Sequence, residues 1–190
     1  MEKGTAGYID AYKKRYGRMA LLFFVVIAAM VVGIYLILGT VRHVAVVAPI
    51  LLALPFAKVF TLWVVVAKFQ SIGAEEKGRI EDTLSDRRQL RILYDMALSS
   101  YESVSYAPCI LVDQGNVYLL WGGAMQKEYT EEHQREYVRG IVKKADVSLE
   151  VVTVHSVEEL IQKCSEVPES EEELESLCDR IRQRLLDVCV

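Results

Sequence analysis

Recognisable catalytic signatures are missing from this chain of 190 residues. There is no GxxxxGKS or GxxxxGKT and no GxGxxG to cradle a phosphate, and no GxSxG to expose a nucleophilic serine. Gly122-Gly123 is too short to take the place of a phosphate loop. Cysteine is scarce: Cys109, Cys164, Cys178 and Cys189 are the four, and no two are spaced as CxxC. The three histidines, His43, His133 and His155, do not complete a zinc-ligand pattern with them. Small buried thiols are therefore expected, with no metal and no cofactor. Acidic residues are also absent where they would matter most. Neither of the two long apolar stretches contains Asp or Glu.

Those two stretches are residues 19–38 and 44–67, joined by Gly39-Thr40-Val41-Arg42-His43. At 1.5 Å per residue, the first reaches roughly 30 Å, the thickness of one hydrocarbon core. A cleavable signal peptide would have a shorter apolar run and a small-residue cleavage site, not a second span at once. The pattern predicts a membrane-spanning helical hairpin. Lys3, Lys13, Lys14, Arg15 and Arg18 precede it, and Lys68, Lys77 and Arg79 follow it, whereas the turn holds only Arg42 and His43. Basic residues collect on the cytoplasmic side. Both termini are therefore expected in the cytoplasm, in a plasma (inner) membrane protein with two passes.

Charge divides the chain further. Residues 1–18 carry a net charge of +3 and residues 69–190 a net charge of −10, which the overall −4 conceals. The basic segment 1–18, with Tyr8, Tyr12 and Tyr16 among its cations, suits anionic headgroups. The acidic remainder argues against nucleic acid, whose binding rests on clustered Lys and Arg. The expected division is a basic segment 1–18, the hairpin 19–67, a hinge 68–73 and an acidic cytoplasmic α/β domain 74–190.

Within that domain, apolar residues three or four apart from Ile80 to Tyr101 predict one amphipathic helix over 74–101. Cys109–Val112 and Val117–Trp121 flank Asp113-Gln114-Gly115-Asn116 and read as a β-hairpin, with Gly115 supplying a positive φ to the turn. Thr130 is placed to cap a helix to about Lys144, whose inner face is Tyr137, Val138, Ile141 and Val142. Leu149–Val154 reads as a strand. Ser156 and Glu159 form a capping box for a short helix to Cys164, and Ser170 and Glu173 form another for the last helix. The expected order is helix, β-hairpin, helix, strand and two helices.

The candidate functional residues are few. Lys58 lies near the middle of the second span, where a charge is costly and faces protein, water or a snorkelling path to the headgroups. With no carboxylate in either span, a counter-charge for it must come from another protein. Ala29 and Gly33, and Ala53 and Ala57, form small-xxx-small pairs suited to close helix packing, within the hairpin or between copies. Asp113 and His155 fall at strand ends, where α/β folds assemble sites. The helix, hairpin, helix and strand order resembles the layout of PD-(D/E)xK nuclease domains. That resemblance implies a metal-binding role for Asp113, but the next strand reads Asn116-Val117-Tyr118-Leu119-Leu120-Trp121-Gly122 and lacks the ExK.

These features predict a membrane-anchored, non-enzymatic accessory or scaffold protein. Its contacts are the lipid bilayer and a protein partner or further copies of itself, with no nucleic acid. The competing readings are a membrane-surface enzyme with a site near Asp113 and His155, and an oligomeric transporter or channel subunit that depends on Lys58.

Overall fold

Two long apolar helices and a small α/β domain account for the ordered elements of the computed structural model. It describes residues 2–39, 44–84, 87, 90–99, 104–113, 115–122, 130–144, 149–165 and 175–189. Helix α1 spans Tyr8–Leu38 and helix α2 spans Val47–Ala67. Both are long and apolar enough to cross a membrane. Their side chains are mostly open to the surroundings, with Leu36, Ile37 and Leu54 at least 71% exposed, as helices in contact with lipid would be. Helix α1 begins well before the apolar stretch, so the charged turns from Lys13 to Arg18 are helical too. Residues 40–43 of the expected connecting turn lie outside the described residues.

The chain divides into two units, Asp10–Lys68 and the pair of segments Met1–Ile9 and Phe69–Val190. In the first unit the two helices meet through aromatic side chains. A Cβ on Gly17 would stand 2.9 Å from Trp63 Nε1, so glycine is what allows the indole to lie against the α1 backbone. Phe24 meets Phe56 at a ring-centroid distance of 6.4 Å, and Phe56, Phe60 and Trp63 follow one another along α2.

The second unit contains α3 (Ala74–Leu84), β1 (Arg91–Ser99), β2 (Val104–Val112), β3 (Asn116–Leu120), α4 (Glu131–Lys143), β4 (Glu150–Val154), α5 (Val157–Ser165) and α6 (Glu175–Val188). The four strands form one mixed sheet in the order β1-β2-β3-β4, antiparallel except for the parallel pair β3 and β4. Helix α4 makes the crossover that a parallel pair requires. One face of the sheet packs Val138, Ile141 and Val142 of α4 with Cys178, Ile181 and Leu185 of α6. The other packs Ile80 and Leu84 of α3 with Val157, Leu160 and Cys164 of α5. Helices thus cover both faces, which is why Cys109–Val112 and Val117–Leu120 are continuous apolar runs.

The expected helix over 74–101 is corrected: it stops at Leu84, and Arg91–Ser99 is a strand. Six consecutive residues, Leu93 to Leu98, are buried. A helix stripe cannot bury six in a row, whereas a strand covered on both faces can. Pro108 lies inside β2. Two of the three predicted caps lie among the described residues: Thr130 accepts from the His133 N–H, and Ser156 accepts from the Glu159 N–H. The Glu159 carboxylate returns one residue earlier than a capping box demands, to the His155 N–H. Gly115 does not adopt a positive φ; the turn closes through the Asp113 N–H and Asn116 carbonyl at 2.9 Å. The second capping box, Ser170 to Glu173, lies outside the described residues.

All four cysteines are free and buried. Burial, with a smaller contribution from the Asp113 charge, pushes the Cys164 thiol up to about 12, against the opposing Arg87 guanidinium. The folded chain therefore holds Cys164 as a thiol. Its contribution to stability is complete below about pH 8.5, where an unfolded cysteine begins to ionise. That contribution is lost as pH rises through about 12. Cys164 should resist iodoacetamide at pH 8 in the folded chain and become alkylated only after denaturant is added, as read by peptide mass spectrometry. Rapid alkylation without denaturant would contradict this burial.

Candidate functional site at the segments flanking the hairpin

Strand β1 carries an acidic residue in its buried centre, which apolar periodicity does not anticipate. Asp95 is fully buried and has φ of 52°. It is the only non-glycine residue with positive φ among the described residues. Such a backbone costs on the order of 1–3 kcal/mol and persists only where its surroundings hold it. Across the ladder stands Pro108, flanked by the Tyr94–Cys109 and Met96–Ala107 pairs. Proline has no N–H to donate, so nothing in β2 is lost when the Asp95 backbone turns away. The alternation of both strands slips here. Leu93 and Met96, three residues apart, share one face of the sheet, and so do Ala107 and Ile110.

The break aims the Asp95 carboxyl at two segments far away in sequence. Its Oδ2 accepts from the Gly7 N–H at 2.7 Å, and its Oδ1 accepts from the Ile72 N–H at 2.9 Å. Gly7 immediately precedes α1, and Ile72 lies in the stretch that follows α2. The Tyr106 hydroxyl completes the group, its single proton lying between Gln70 O at 2.5 Å and Asp95 Oδ1 at 3.1 Å. Phe69, 1% exposed, stacks on the Tyr106 ring at 5.1 Å. Gln134 of α4 donates to the Tyr106 carbonyl at 3.1 Å.

Two glycines make this arrangement possible. Gly7 has φ of 82°, a conformation in which an L side chain would be strained. A Cβ on Gly122, just after β3, would meet Pro108 Cδ at 2.9 Å and the Tyr106 carbonyl oxygen at 3.1 Å. The N-terminal segment also serves the sheet. The Tyr94 N–H donates to the Gly4 carbonyl, and Leu98 forms a bridge with Cys189. Lys3 donates from Nζ to the Cys189 carbonyl. The outer edge of β1 is thus covered by the two ends of the chain, which removes a template for unwanted strand pairing. Residues 68–73, expected as a hinge, are held through Phe69, Gln70 and Ile72.

The residues singled out from sequence are placed differently. Asp113, 4% exposed, follows β2, and His155 follows β4, where it is exposed and 3.5 Å from Glu131. The register puts Val112 beside Val117 at the start of β3, and Val154 beside Leu120 at its end. The two residues therefore stand at opposite ends of the sheet, roughly 13 Å or more apart along the strand direction. They do not form a joint site. No acidic or basic side chain occurs in Asn116–Leu120, so the residues beside Asp113 do not fit the metal centre of the nuclease layout. In the hairpin, Lys58, Ala29, Ala53 and Ala57 are exposed, and a Cβ on Gly33 would meet nothing within 4 Å. The small pairs do not supply the aromatic contact between α1 and α2.

Comparison with family models, curated proteins and solved structures gives no match. Chemistry at the Asp95 group is that of a structural acceptor: a carboxyl that terminates two backbone N–H groups and one hydroxyl. Asp95→Gly separates its two aspects. Glycine relieves the positive φ, worth about 1 kcal/mol, but leaves two N–H groups without their acceptor. A net loss of roughly 2–4 kcal/mol is expected in denaturant unfolding of the full chain. Unchanged or increased stability in Asp95→Gly would show that these hydrogen bonds contribute no more than the backbone strain that glycine relieves.

Proposed function

We propose that the chain is a two-pass plasma membrane protein with both termini in the cytoplasm, acting as a non-enzymatic anchor that presents its acidic α/β domain to a protein partner. The observation that carries this reading is the Asp95 group. The segments before and after the hairpin are both integral to the fold of the domain, as an anchor that displays a domain in a defined way requires. The uneven placement of Lys and Arg around the two spans supports the cytoplasmic assignment. The net charge of −10 over residues 69–190 supports a partner with a basic face. Reporter fusions to either terminus should be active only with a cytoplasmic reporter; an external C-terminus would overturn this reading.

A second reading has its own support. Lys58 is exposed on α2 with Ala53 and Ala57, and neither apolar stretch, 19–38 or 44–67, contains a carboxylate for it. A membrane subunit bearing an acidic residue, or an assembly of several copies, would meet it there. Under this reading Lys58→Leu should abolish detergent-stable crosslinked complexes while leaving insertion intact, since the change makes the span more apolar. Complexes that survive the substitution would assign Lys58 to snorkelling alone.

A further inference from the structure

The aromatic contact between α1 and α2 leaves an apolar groove of about 280 Å³, lined by Gly17, Ala20, Leu21, Phe24, Phe56, Phe60 and Trp63. It lies at one end of the hairpin, at the start of the first apolar stretch and the end of the second. From Gly17 to Phe24 the groove runs roughly 10 Å along α1. Inside a bilayer such a surface is filled by a lipid chain rather than by water. Trp63 stands at the end of α2 where interfacial tryptophans gather.

What lies just N-terminal of the groove on α1 is cationic. Lys14 falls three residues before Gly17 and seven before Leu21, so helical spacing sets it along the border of the groove. Arg18, three residues before Leu21, lies beside it. Helical side chains lean towards the N-terminus, which carries both cations towards the headgroup layer. Both are exposed. Arg18 spends only Nε within the helix, on the Lys14 carbonyl at 3.1 Å. Lys13, by contrast, is met by Asp10 at 3.4 Å.

We infer that this groove is a binding site for one anionic phospholipid, with an acyl chain against Phe24, Phe56 and Phe60 and the headgroup phosphate on Lys14 and Arg18. A zwitterionic lipid satisfies the apolar part equally well but brings its own cation to Lys14 and Arg18. Selectivity therefore rests on charge, at about fivefold per cation and roughly thirtyfold for the pair. The inference rests on insertion of the hairpin in a bilayer, and the experiment separates the two.

The chain contains two tryptophans, Trp63 and Trp121, so full-length Trp121→Phe makes Trp63 a sole reporter. It is reconstituted in phosphatidylcholine vesicles containing a minor fraction of phosphatidylglycerol, with bromine quenchers on the acyl chains of one lipid or the other. Brominated phosphatidylglycerol should quench Trp63 well beyond the same fraction of brominated phosphatidylcholine, corresponding to the roughly thirtyfold preference. K14Q/R18Q should bring the two lipids level. Equal quenching in the parent, or a preference that survives the double substitution, overturns the site. Absence of quenching by either lipid overturns insertion and the site together. Native mass spectrometry of the unsubstituted chain provides a reading independent of Trp121. One retained phosphatidylglycerol, lost in K14Q/R18Q, is expected, and a wild-type chain that emerges bare contradicts the inference.

Discussion

One buried carboxyl decides how this chain can leave its domain and return to it. Asp95 holds the Gly7 N–H on one side of the hairpin sequence and the Ile72 N–H on the other. A buried N–H without an acceptor is costly, so each segment has a strong reason to stay where the carboxyl is. Much of the surrounding detail follows from that need. The strand backbone must turn into positive φ to aim the side chain, and its partner must tolerate the turn. Pro108 does, because it has no N–H to lose. Tyr106 then spans the gap between strand and returning segment with its hydroxyl, while Gly122 leaves room for its backbone.

The same constraint gives the sheet its closed edge. With the N-terminal segment drawn to Asp95, the Gly4 carbonyl reaches the Tyr94 N–H, and the Cys189 end of the chain takes the neighbouring stretch of β1. An α/β domain with a free edge strand would be open to pairing with other chains. Here part of the protection is provided by the segment that leads into α1, through the Gly4 carbonyl. The domain fold thus includes the segments on both sides of the two apolar helices, although helices and domain have sequences like those of two different proteins.

Local chemistry was legible wherever neighbours in sequence carried it. The two apolar helices, the hairpin of β2 and β3, the Thr130 cap and the inner face of α4 all depend on residues within a few positions of each other. Strand β1 was misread because Leu90, Leu93, Tyr94, Ala97 and Leu98 satisfy helical spacing as well as they fill a strand buried on both faces. Periodicity alone cannot separate these. The acid at Asp95 was the available signal, since it interrupts an otherwise apolar run, but its partners lie 88 and 23 positions away. Asp113 and His155 each sit at a strand end, as expected, yet which end depends on strand direction. The antiparallel β2 and parallel β4 send them apart. For the small pairs at Ala29/Gly33 and Ala53/Ala57 the spacing was visible but not the competing aromatic contact, which Gly17 makes possible.

The central claim is that a single acceptor secures both flanking segments, and amide exchange in the wild-type full chain tests it most directly. Gly7 and Ile72 should both be protected far above the rate of an unstructured chain. They should also lose protection together as denaturant or temperature rises, because release of the carboxyl frees both. Exchange of Gly7 at the unstructured rate while Ile72 remains protected, or the reverse, would contradict the account.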